Sequence, residues 1–264
     1  MIIGVIGIGV VGTAVYKYFK NNSNHTVIGY DKYKEEFSDF NKLYDSSIIF
    51  ICLPTNYSDE LKTYDMGPIN ENLNKLKGYN GIILLKSTVI PGTSQNLSDK
   101  YSLKIIHNPE FLTARTAYED FVNQDHIVLG KTNNITDNEL SRIKKMYSYF
   151  FENVKISISN SNETEHMKLF CNAFYSLKIQ FFNELYLSCK KFNIDYDNVK
   201  DMMLKNNWIN PMHTNVPGPD GKLSYGGVCF PKDTNALLNF MKDNDLMCEI
   251  IEATIKERNI LRMV

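Results

Sequence analysis

Cys229 stands in the segment 226–233, GGVCFPKD, behind two glycines and ahead of Lys232 and Asp233. A thiol attacks only as thiolate, and a cation such as Lys232 favours that form, while a carboxylate such as Asp233 can orient a lysine or a water. The chemistry on offer is covalent capture of a carbonyl. The alternative is a small apolar cysteine in a turn ahead of a helix. Upstream, Lys168 and Asn172 lie in a stretch, 163–192, that has no Gly or Pro and repeats Met167, Phe170, Phe174, Leu177, Phe181 and Leu185 at helical spacing. One long buried helix is expected there. The spacing puts the amine and the amide on one face, where both can converge on a single oxygen to stabilise an oxyanion or orient a hydroxyl. A solvated face is the plain alternative, which the aromatic flanks make less fitting.

A second chemistry sits at the amino terminus. An apolar run, 2–6, meets Gly7, Ile8, Gly9, Val10, Val11 and Gly12 in G-x-G-x-x-G order, and an amphipathic stretch follows. This predicts strand, turn and helix. Gly7 permits the tight turn, Gly9 admits a pyrophosphate to the backbone, and Gly12 allows close helix–strand packing. A second strand, 25–30, ends at Asp31, nineteen residues after Gly12, where a carboxylate can accept from an adenosine ribose hydroxyl. That favours NAD. Lys32 and Lys34 could compensate a 2′-phosphate, so NADP stays open. Two more strand ends offer cofactor contacts, Pro54–Thr55 and Lys86–Ser87–Thr88, with a helix cap or a turn as the alternative role of each hydroxyl.

These residues need a scaffold. Ten of the 14 glycines fall within residues 1–130 and none between 131 and 217, so the first part reads as turn-rich α/β and the second as helical. Strands are expected at 47–53, 81–85, 104–107 and 126–129 besides the first two, alternating with helices as a doubly wound parallel sheet requires. The expected architecture is a Rossmann-like sheet domain over 1–155, followed by an all-helical substrate and dimerisation domain over 156–264 that carries the cysteine loop. A final helix is expected over 233–261.

A chain of 264 residues that is 43% apolar can bury such cores, and its net charge of −1 argues for neither nucleic acid nor an anionic membrane as partner. No apolar run reaches the roughly 18 residues of a membrane span, and Met1 leads straight into a strand without a secretory signal, so a cytoplasmic protein is expected. Five cysteines, at 52, 171, 189, 229 and 248, make no C-x-x-C pair and fit reduced thiols. The five histidines form no metal-binding pair, and only His213, ahead of the glycine loop, invites a test.

Two further segments, KSTVIPG at 86–92 and HNPEFLTAR at 107–115, complete an ordered set: glycine loop, STV-x-PG, NPEFL, K-x-x-x-N…NE and GG-x-CFPKD. In this order the chain resembles the UDP-glucose/GDP-mannose dehydrogenase family, the nucleotide-sugar 6-dehydrogenases. The resemblance implies oxidation of a sugar C6 alcohol to a carboxylate in two NAD-dependent steps, with UDP-glucose the leading substrate on family frequency. It makes Cys229 the nucleophile that captures the aldehyde and then carries a thioester. Lys168 and Asn172 match its oxyanion-stabilising pair, and Glu110, Thr88 and Asp233 match groups that position or activate water. Lys232 is carried over among the cofactor contacts. Glu110, Phe111 and Leu112, with the loop 220–226 that includes Tyr225 and Gly226, would line the sugar-nucleotide site together with Lys168 and Asn172. No metal is implied.

Departures accompany the matches. Many relatives carry a second glutamate where this chain has Ala114, followed by Arg115, and the glycine loop, PGPDGKLSYGG at 217–227, is longer than the common pattern. The resemblance also implies a further nucleotide-binding α/β domain, which this chain, ending at Val264, is expected to lack. A two-electron β-hydroxyacid dehydrogenase and a non-catalytic NAD- or sugar-nucleotide-binding subunit remain the rival readings. A homodimer through the aromatic-rich helices is expected.

Overall fold

A computed structural model describes residues 1–22 and 25–263 of the chain. The elements run β1 (Ile2–Ile6), α1 (Val10–Asn21), β2 (Thr26–Tyr30), β3 (Ile48–Ile51), the short β4 (Tyr57–Ser58) and β5 (Thr63–Tyr64), then α2 (Gly67–Lys75) and β6 (Ile82–Leu85). They continue with α3 (Thr93–Tyr101), β7 (Lys104–His107), α4 (Ala117–Val122), β8 (His126–Lys131), α5 (Asp137–Phe150), β9 (Lys155–Asn160), α6 (Ser161–Lys191), α7 (Tyr196–Leu204), α8 (Cys229–Asp243) and α9 (Glu249–Arg262).

Two compact units form. The first takes Met1–Asn56 and Tyr64–Lys168, the second Tyr57–Thr63 and the chain from Leu169 onward. The long helix expected over 163–192 is α6, and the division falls within it. A boundary at residue 155 would leave out β9, which pairs in parallel with β8 over its whole length.

In the first unit seven strands lie in the order β2-β1-β3-β6-β7-β8-β9. The central strands are Ile, Val, Leu and Phe runs because helices cover both faces. Successive side chains alternate between two cores: Ile48, Phe50, Ile82 and Leu84 join one with Phe19, Phe121 and Tyr147. Ile49, Ile51, Ile83 and Leu85 join the other with Leu73, Leu97 and Tyr101. Two findings correct the sequence reading of a uniformly parallel sheet of six strands. β8 runs antiparallel to β7. β9 is a seventh strand, unforeseen because KISISN alternates apolar with polar residues at a sheet edge and contains no apolar run.

The second unit is helical. Phe182, Cys189 and Tyr196 form a core with Leu185, Tyr186, Val199 and Met203 from α6 and α7. The single helix expected over 233–261 is two: α8 stops at Asp243, Asp245 takes a left-handed φ of 53°, and α9 starts at Glu249. Asn and Asp tolerate that conformation through local side-chain bonding, which is why the apolar periodicity did not reveal the break. Among the described residues no helix is long and apolar enough to cross a membrane.

Candidate functional site

The glycine turn is dictated by its own packing at two positions and open at the third. A Cβ on Gly7, whose φ is +86°, would meet the Cys52 carbonyl oxygen at 2.8 Å, and one on Gly12 would lie 1.8 Å from the Gly7 oxygen, so neither tolerates a side chain. Gly9 has nothing within 4 Å of such a Cβ, which leaves the backbone bare where α1 begins at Val10 and Val11. Exposed amides at a helix start suit a phosphate. Asp31 stands at the end of β2, its Oδ2 accepting from the Ile8 amide at 2.9 Å and its Oδ1 from the Tyr33 amide at 3.0 Å. Each oxygen keeps a lone pair for a ribose hydroxyl. Lys34 donates to the Ile8 carbonyl at 2.7 Å and Lys32 pairs with Glu71 at 3.1 Å, so both lysines that kept NADP open are engaged within the protein. The cradle fits a dinucleotide whose ribose is read by a carboxylate.

The next strand ends are stitched to one another. Thr55 Oγ1 donates to the Thr88 carbonyl and Ser87 Oγ to the Leu53 carbonyl, each at 2.7 Å, with Thr55, Ser87 and Thr88 buried and Pro54 exposed beside them. Thr55 and Ser87 thus give their protons to the fold and retain only acceptor capacity. Lys86 is buried, its Nζ 3.1 Å from the Asn108 carbonyl and 3.2 Å from Asn108 Oδ1. Burial pushes its ammonium down to about 8. Tyr147 donates to the same Asn108 oxygen, and Asn108 Nδ2 donates to the Val128 carbonyl at 2.9 Å.

That network fixes the segment leading to Glu110. The Lys168 ammonium donates to the Glu110 carbonyl at 2.5 Å, lies 3.6 Å from Glu110 Oε1 and sits 5.0 Å over the Phe111 ring. Glu110 Oε2 accepts from the Leu112 amide at 2.6 Å. The first unit therefore holds an amine and a carboxylate together, nearly withdrawn from water at 5% and 13% side-chain exposure. One turn before Lys168, Glu165 accepts from the Gly92 and Ser94 amides at 2.6 and 2.7 Å, closing the start of α3 and the loop that carries Thr88. Burial raises the Glu165 carboxyl above its ordinary range, against the stabilising Ser94 and Gly92 bonds.

In the second unit Cys229 opens α8 and is exposed, where the aligned peptide dipoles favour an anion. Asp233, one turn further, is fully buried. Its Oδ2 accepts from Asn172 Nδ2 and its Oδ1 from Lys232 Nζ, both at 2.6 Å. Asn172, Lys232 and Asp233 are thus brought together; Lys168 and Asn172, predicted to converge on one oxygen, each have their own carboxylate-bearing residue. Gly227, at φ +72°, turns the chain into α8. His213, at φ +69°, packs 5.0 Å from the Tyr175 ring and 5.6 Å from the Phe230 ring, and burial lowers its imidazole.

The loop before Cys229 is held by Asn183, of the NE pair in the motif order, and by Gln180, Arg258 and Arg262, which the sequence did not single out. Arg262 donates to Asp220 Oδ2 at 2.6 Å and to the Ser224 carbonyl at 2.7 Å, and Arg258 to the Tyr225 carbonyl at 3.3 Å. Asn183 Oδ1 accepts from the Ser224 amide and Gln180 Oε1 from its hydroxyl, at 2.8 and 2.6 Å. A Cβ on Gly226 would lie 2.7 Å from the Arg262 guanidinium and 2.9 Å from Asp220 Oδ2, so a side chain there would displace that ion pair. The arginines one turn apart near the end of the last helix were the available signal, as was Glu165 one turn before Lys168.

A doubly wound sheet with a bare glycine cradle, and an aspartate at the end of its second strand, defines the first unit as an NAD-binding, Rossmann-like domain. Residues 36–151 match the UDP-glucose/GDP-mannose dehydrogenase family NAD binding domain, and residues 162–259 match that family's central domain. The chain belongs to the UDP-glucose/GDP-mannose dehydrogenase family. It is 30% identical to a UDP-glucose 6-dehydrogenase of Campylobacter jejuni over 100% of this chain and 75% of the relative. It is 29% identical to that of Rickettsia prowazekii over 86% of this chain and 51% of the relative, so it spans about half the length of that protein. In fold it resembles a UDP-glucose dehydrogenase from Pyrobaculum islandicum, with a TM-score of 0.84 at 23% identity, covering 98% of this chain and 68% of that one.

Proposed function

We propose that this chain carries the NAD-binding and catalytic parts of a nucleotide-sugar 6-dehydrogenase, converting the C6 alcohol of UDP-glucose to the carboxylate of UDP-glucuronate. The glycine cradle would hold NAD, which supplies the hydride acceptor, one NAD for the alcohol and another for the captured aldehyde. The Cys229 thiolate adds to the aldehyde carbon, forming a C–S bond and a thiohemiacetal oxygen. Loss of hydride from that carbon leaves a thioester. Water then adds to the thioester carbonyl, the C–S bond breaks, and the thiol is regenerated beside a carboxylate.

The roles follow from charge. The Lys168 ammonium and Asn172 amide stabilise the oxygen that becomes anionic at each addition. Glu110 and Asp233 take protons from, or orient, the attacking water, with Thr88 contributing a hydroxyl. Lys232 neutralises Asp233 and contacts the cofactor. Phe111, Leu112, Tyr225 and Gly226 line the sugar side. The observation that carries the reading is the buried Asp233 carboxylate held by Asn172 and Lys232 one turn from an exposed Cys229 at a helix start. A turn cysteine with no chemical task requires no such buried charge.

The same reading includes a homodimer through the helical unit, supported by Phe170, Phe174 and Phe181, exposed at 42%, 59% and 52% on α6. The test is Cys229→Ser: NADH formation from UDP-glucose is expected to fall at least about a hundredfold while NADH binding is retained, as befits a lost nucleophile. A variant turning over at the parent rate would remove covalent capture.

A further inference from the structure

A cavity of about 410 Å³ opens against the glycine turn, lined by Gly9 and Thr13 of the α1 start and, from the other side, by Arg115 at the approach to α4. Its charged lining is Lys17, Lys34, Arg115 and Glu119. Three cations therefore surround a bare backbone with one carboxylate among them. Lys34 is committed to the Ile8 carbonyl at 2.7 Å. The side chains of Lys17 and Arg115 make no hydrogen bond or ion pair with another described residue. Two cations without a protein partner, one on α1 and one across the cavity from it, form a surplus of positive charge that a dianionic group would neutralise.

Resting on the assignment of this unit as NAD-binding, we propose that Arg115 is a further cofactor-binding residue: its guanidinium, with Lys17 at the rim, holds the dinucleotide pyrophosphate against the α1 start. The planar guanidinium suits two phosphate oxygens at once, whereas Lys17 supplies a point charge. Because Arg115 is exposed and lies outside both cores, removing it leaves the sheet intact. The interaction is solvent-facing, so salt weakens it.

NADH binding, read by fluorescence titration, needs no turnover and is therefore independent of the role given to Cys229. Arg115→Ala is expected to raise the NADH Kd about fivefold at low salt, as for loss of a charge-assisted contact at an exposed site. Arg115→Lys should recover part of that loss, and the difference should shrink between about 50 mM and about 0.5 M salt as screening sets in. An Arg115→Ala Kd equal to that of the parent, or a loss indifferent to salt, would overturn the proposal. A parent protein that binds no NADH would remove its premise and the proposal with it.

Discussion

His107 is fully buried, with Nδ1 2.8 Å from Thr164 Oγ1, and burial holds its imidazole at about 3. The unfolded chain takes up this proton near the ordinary value of 6.5, whereas the fold refuses it until about 3. The stability that depends on a neutral His107 is complete above the unfolded value and is lost as pH falls through that window, by about 1.4 kcal/mol per pH unit. We expect the urea midpoint of the first unit to drop steadily below about pH 6.5. His107→Gln should flatten that slope. Asp233 gives a second residue-scale test: Asp233→Ala strands the Lys232 ammonium and the Asn172 amide and should cost about 3 kcal/mol in denaturant unfolding, whereas a change under about 1 kcal/mol would mean that neither partner depends on it. At this scale the glycine turn, Asp31 and Cys229 were legible because their chemistry is local in sequence. The bonds of Asp233 to Asn172 and of Glu110 to Lys168 were not, because they span 61 and 58 residues.

The start of α3 has no side-chain cap of its own; Glu165 of α6 accepts from its Gly92 and Ser94 amides instead. Glu165→Ala leaves both amides without that acceptor in a buried place and should cost about 2 kcal/mol. Amide exchange in peptides covering 90–98 should accelerate more than in the other helices; uniform acceleration would assign Glu165 to bulk stability alone. The loop 217–227 depends similarly on α9. Arg262→Met should speed exchange over 218–226 and leave α7 unchanged, and equal protection in the variant would contradict the clamp formed on Asp220 and Ser224. Helix α6 was readable from its apolar period, and the central strands from their unbroken Ile and Leu runs. β9 and the 244–248 break were not: an edge strand needs no apolar run, and a left-handed Asp245 leaves no mark on the period.

At the scale of the molecule, glycine placement anticipated a sheet unit and a helical unit, but not that Tyr57–Thr63 would join the second, where Asn239 Nδ2 donates to the Tyr57 hydroxyl at 2.8 Å. Nor did strand order reveal that β8 runs against β7, since hydrophobicity carries no direction. The exposed Phe170, Phe174 and Phe181 predict self-association: light scattering should give the mass of two copies, and Phe174→Asp should lower it to one. A monomer at all concentrations would leave that face without an occupant. The central claim is that two oxidations occur at one carbon through Cys229. It is tested most directly by the NADH formed per mole of limiting UDP-glucose, followed by absorbance. The account predicts two NADH per sugar nucleotide; one NADH per sugar nucleotide, unaffected by Cys229→Ser, would contradict it and leave a simple alcohol dehydrogenase.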